Sequence, residues 1–126
     1  MKKLVFSVTA TALLLLSSAP ASAHHAANAT YDMTQLKVMK GVLEKVEWVN
    51  PHARFHFIDV DTKIEWTLET GGPAAMRRQG MSGAGMMPVG TTYNVSFRPA
   101  RNGAHMGLMS ILEFPDGKKF SQLPSN

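Results

Sequence analysis

From Gly41 onward, apolar and polar residues follow one another with the period of extended chain. Val42, Val46 and Trp48 share one parity of a run that stops at the turn pair Asn50-Pro51. Ala53, Phe55 and Phe57 alternate with Arg54 and His56, after which Ile58 and Val60 shift the parity. That shift predicts a bulge, or a strand buried on both faces. After Asp61-Thr62, Ile64, Trp66 and Leu68 stand against Lys63, Glu65, Thr67 and Glu69. This clean period of two predicts a half-buried antiparallel strand, with Glu65, Thr67 and Glu69 on a solvated face. Pro73 to Gln79 predicts a short helix, entered at a proline and stopped at Gly80. Gly80 to Gly90 carries four Gly and three Met and reads as a mobile loop. Tyr93, Val95 and Phe97 alternate up to Pro99. A last pair, His105 to Phe114 and Lys118 to Leu123, folds back through Asp116-Gly117.

Three strands, a short helix, then two or three strands predict an all-β, mainly antiparallel domain. The order fits a small OB-like barrel of five or six strands, with one short helix between strands three and four. A β-sandwich or an unclosed meander would use the same elements. Residues 41–126 make this single β-barrel domain. Residues 24–40 are Ala-rich and polar with no period, and read as an amino-terminal tail or docking segment.

Residues 1–23 have the three parts of a secretory signal peptide. Lys2 and Lys3 lead, an apolar run from Leu4 to Leu16 follows, and small residues end at Ala21-Ser22-Ala23. The run is short for a membrane span, and no cysteine follows it to take a lipid. The expectation is export to the periplasm, with no stable membrane anchor after cleavage at Ala23 or at Ala21. Of 13 basic residues Lys2 and Lys3 leave with the signal, so the mature balance is 11 basic to 9 acidic. The remaining cations are scattered rather than striped, which argues against nucleic acid. With no cysteine in the chain, disulfides, thiolate metal sites and thiol nucleophiles are excluded.

Chemistry then falls to the histidines: His24, His25, His52, His56 and His105. Cleavage after Ala23 makes His24 the new terminus, and an amine with a pKa near 8 beside an imidazole chelates a metal through two nitrogens. Nitrogen donors in a planar arrangement suit Cu(II) or Ni(II), and copper is the expected ion, with His25 and His52 as further ligands. Cleavage after Ala21 would leave Ser22-Ala23-His24, a terminal sequence that chelates copper as well. The plainer reading of His24-His25 is an unordered start with no ligand. His52 lies at a turn, where it either binds or braces the turn. His52 and His56 are about 13 Å apart along an extended strand, too far for one ion, and His56 reads as a surface residue. Met76, Met81, Met86 and Met87 could offer soft thioethers to Cu(I), but methionine more simply packs a core. Trp48, Asn50, His52, Arg54 and Trp66 form a second candidate set, for an unknown ligand or periplasmic protein, since aromatic and Arg residues anchor interfaces. No esterase, zinc-protease or phosphate-loop motif is present, so the expected role is non-enzymatic.

His24-His25, Tyr31-Asp32, Gly41, Trp48-Val49-Asn50-Pro51-His52, Trp66, Glu69, Arg77, Gly80, Gly90, Pro99, Arg101 and Gly103 occur in this order. The string resembles a family of small exported proteobacterial proteins catalogued as domain of unknown function 6152. Two positions depart from that pattern: Met81 follows Gly80 where an aromatic is usual, and Thr91 follows Gly90 where Asp is. The resemblance implies an exported single β-domain of unassigned activity. Together these readings describe a periplasmic binding module with possible Cu(II) ligands at its mature terminus. The alternative is a non-metal ligand- or protein-binding accessory that uses the Trp48/His52 rim.

Overall fold

A computed structural model describes residues 19–122, with side chains from residue 25 onward. The signal-peptide reading of residues 1–18 and the end of the chain from residue 123 lie outside it. Six strands form one sheet: β1 (Lys37–Glu47), β2 (Arg54–Asp59), β3 (Glu65–Glu69), β4 (Thr92–Pro99), β5 (Met106–Glu113) and β6 (Lys119–Ser121). Their order is β3-β2-β1-β4-β5-β6, and β3 also pairs with β5. That last pairing closes a five-stranded barrel, leaving β6 as an extra strand. The β3–β5 pair is parallel whereas the other pairs are antiparallel. The sheet is therefore mixed, and the closed barrel replaces the sandwich and open-meander alternatives.

Closure depends on a residue without a side chain. Gly107 faces Leu68 of β3 and Pro99 of β4. A Cβ at that position would stand 2.4 Å from Phe97 Cδ2 and 3.0 Å from Arg98 O, so only glycine lets three strands meet there. The interior is filled by Leu43, Phe55, Phe57, Leu68, Tyr93, Val95, Phe97, Met109 and Leu112, all fully buried. Tyr93 packs edge-on against Phe57 and Phe114, at 6.1 Å and 5.6 Å between ring centroids, a geometry aromatic quadrupoles favour.

The predicted alternation holds in β3 and β4 but not in β1. Met39, Gly41 and Leu43 are the inward residues of its first half. Between Leu43 and Lys45 the register with β2 slips by one residue. The extra residue, Glu44, flips the parity, so Val46 and Trp48 pack against the core while Val42 does not. The bulge therefore lies on β1 rather than at Ile58 and Val60. The strand also starts at Lys37, four residues ahead of Gly41, and this overhang pairs with β4 alone.

A short helix, α2, spans Pro73–Arg78 with Pro73 in its first turn, as the sequence predicts. The segment after it is more ordered in its packing than a Gly- and Met-rich loop suggests. It contains a 3-10 turn, Ala84–Met86, and Met76, Met81 and Met87 are buried in the core while Met86 is exposed. Three of the four methionines are thus packing residues, not thioether ligands facing a solvent site.

Candidate functional site

The Ala-rich segment is a helix, α1, spanning Ala19–Thr30. Six alanines favour that conformation. Its last turn is tied to the barrel by Arg101, whose N–H donates to Thr30 O at 2.9 Å and whose Nε donates to Asn28 O at 2.8 Å. Both carbonyls belong to the helix end, where no intrahelical donor remains. Tyr31 then bridges to Ala100 and is 4% exposed. Tyr31 and Arg101 thus hold the end of the helix to the barrel.

Tyr31 donates its hydroxyl to Glu69 Oε2 at 2.6 Å, and Arg54 Nε donates to Glu69 Oε1 at 3.3 Å. Burial, and then the bond to Glu69, push the Tyr31 phenol well above its ordinary value of 10.0. Glu69 is thus a half-buried anchor rather than part of a solvated face. Beside this pair lies a cavity of about 200 Å³, walled by Ala26, Ala27, Thr30 and Tyr31 on one side and His52, Glu69 and Leu108 on the other.

His52 is exposed, and its Nδ1 donates to Thr70 O at 3.1 Å. With Nδ1 holding the proton, a neutral ring leaves the Nε2 lone pair free, the tautomer a metal-binding imidazole needs. The loop that carries His52 contains a cis Asn50-Pro51 bond and lies close to the entrance of α2. A Cβ on Gly72 would meet Pro51 O at 2.7 Å and Asn50 Oδ1 at 2.9 Å, so this approach also requires glycine.

The structure divides the sequence-predicted residues. Trp48 is half-buried against the core, Asn50 and His52 are exposed on the adjoining loop, and Arg54 joins them through Glu69. Trp66 does not. It points inward with Leu68, against Phe97 and His105, because β3 alternates and Arg54 pairs with its outward residues. His25 is exposed on α1; the His24 side chain lies outside the described set. Among the described residues, no three His, Cys, Asp or Glu side chains converge on one point as a metal cage.

His56 lies on the outer face, as its parity predicts; its Nε2 faces Glu47 Oε2 at 3.1 Å and its Nδ1 faces Glu65 Oε1 at 3.2 Å, so it ties β1, β2 and β3 together there. Lys45 and then His56 hold the Glu47 carboxyl down from 4.5 to about 2. Sequence reasoning missed Tyr31 and Glu69 as partners. The available signal was a lone aromatic in an otherwise small and polar segment.

Fold and site define a class: a small closed OB-like barrel with an added strand and an amino-terminal helix docked beside a rim histidine. The sequence profile of a family described as "Family of unknown function (DUF6152)" matches residues 12–110, and the chain belongs to that family. No curated protein and no solved structure matches it.

Proposed function

We propose that this protein is an exported, non-enzymatic binding module that holds Cu(II) between its processed amino terminus and the barrel. The signal is removed at Ala23, and the amine and imidazole of His24 are joined by His25 and His52. One observation carries this reading: His52 and the first turns of the mature segment, Ala26, Ala27 and Thr30, wall the same cavity. His24 and His25 immediately precede Ala26, so docking of α1 brings the new terminus to the side of the barrel that bears His52. The proton on His52 Nδ1 supports the reading, since it leaves Nε2 for the ion. Copper binding then requires a neutral amine and neutral imidazoles, so affinity falls as the pH is lowered.

The test is an intact mass of protein exported by its own signal, measured with and without Cu(II). A start at His24 with one retained copper, lost in His52→Ala and on trimming His24-His25, is expected. A different start, or no retained metal, refutes the copper reading and leaves a rim that binds a ligand or protein through Trp48 and His52. That second reading is favoured by Val49, which is exposed beside the half-buried Trp48.

A further inference from the structure

The barrel has a second cavity, which shares no lining residue with the one beside His52. Because β1 overhangs β2, the rung from Val60 N to Lys40 O is where the two strands part, and the edge at Lys37 and Val38 faces open space. The cavity there is about 470 Å³, bounded by Lys37, Val38, Ile64, Trp66, Phe97 and His105. That volume lies in the range of small-molecule sites, about 300–1,000 Å³. A neighbouring hollow of about 230 Å³ shares Lys37 and Trp66 and is lined by both Arg101 and Asp32, the latter accepting from Thr34 and Gln35.

Trp66 is the floor. Its ring lies 4.9 Å from Phe97 and 5.1 Å from His105, and Lys37 Nζ stands 5.2 Å above it. Among the described residues, Lys37 forms no ion pair, and no hydrogen bond is made by the His105 ring. The ammonium is held only by the indole face, a weak attraction at an exposed site. The one carboxylate in the wall, Asp59, turns its Oδ1 back to Asp61 N–H at 2.9 Å, within the β2–β3 turn. The mouth therefore offers apolar aromatic walls, two nitrogen donors without acceptors, and one carboxylate whose Oδ1 is turned into the β2–β3 turn.

We propose that this mouth binds a small organic acid, its apolar body against Trp66, Phe97 and Ile64 and its carboxylate on Lys37 and His105. A carboxylate gives Lys37 a charge-assisted hydrogen bond, stronger than its hold on the indole. A bare inorganic anion would leave the apolar walls unused, and a cationic ligand would face Lys37.

The test is calorimetric titration of the folded protein with 2-naphthoate and octanoate, with 2-naphthamide as the uncharged comparator. The two acids separate an aromatic from an aliphatic body. Saturable binding of at least one acid is expected, with Lys37→Gln weakening it about ten-fold, or about 1.4 kcal/mol, while Lys45→Gln on the outer face leaves it unchanged. In NMR the Trp66 indole N–H should shift and that of Trp48 should not. No saturable binding of either acid, naphthamide binding as well as naphthoate, equal effects of the two lysine changes, or a shift confined to Trp48 would each overturn the proposal.

Discussion

Replacing Tyr31 by Phe tests whether the amino-terminal helix is held to the barrel by chemistry or merely lies beside it. The ring stays, so its burial is preserved, and only the 2.6 Å bond to Glu69 is lost. A hydrogen bond to a charged group contributes about 1.5–3 kcal/mol. Glu69 keeps Arg54 as a donor and its side chain is 18% exposed, so water takes up part of the loss. The expected cost is about 1–2 kcal/mol in urea unfolding followed by circular dichroism. Glu69→Gln keeps an acceptor oxygen but removes the charge that both Tyr31 and Arg54 face, so the double variant should cost less than the sum, because both changes weaken the Tyr31–Glu69 bond. The phenol gives a second readout. Its pKa is raised in the folded state, so its contribution is full below pH 10 and is lost as pH rises toward the folded value. Tyr31→Phe should therefore flatten part of the alkaline loss of stability; Tyr93, also raised by burial, acts in the same direction. An additive double variant, or an unchanged alkaline limb, would refute the account of how α1 docks. If docking fails in Tyr31→Phe, copper affinity should fall with it although no ligand has been touched.

The remaining expectations concern the barrel itself. Gly107→Ala should cost about 1–3 kcal/mol by overpacking, since its Cβ would press on Phe97; Gly85→Ala, with nothing within 4 Å, should change the urea midpoint little. Met87→Ala should cost about 2–5 kcal/mol, whereas the exposed Met86→Ala should stay within about 0.5 kcal/mol; equal effects would mean the loop is not packed as described. Glu47 is held down to about 2 in the folded state, so its stabilisation is present above its ordinary value of 4.5 and is lost as pH falls between the two. Glu47→Gln should make acid unfolding shallower in that window, and an unaltered acid limb would count against the Lys45 and His56 contacts that hold the carboxyl down.

Local pattern was enough to locate most elements. Period-two alternation marked β3 and β4, the proline and glycine around Pro73–Arg78 marked α2, and Asp116-Gly117 marked the last hairpin, because each depends on neighbours within a few residues. The bulge at Glu44 left no such mark. One inserted residue changes which face is buried without changing composition, and only the pairing of β1 with β2 reveals it. Burial of Met81 and Met87 was likewise decided by the space that the barrel leaves under their loop. The candidate sites depend on the longest-range contacts. Tyr31 meets Glu69 across 38 residues, α1 and His52 line one cavity, and Lys37, Trp66 and His105 line another in the closed sheet. The chain's own alternation determined that there would be strands with a buried side. Which distant polar groups would then share a cavity was decided by closure, which no local spacing encodes.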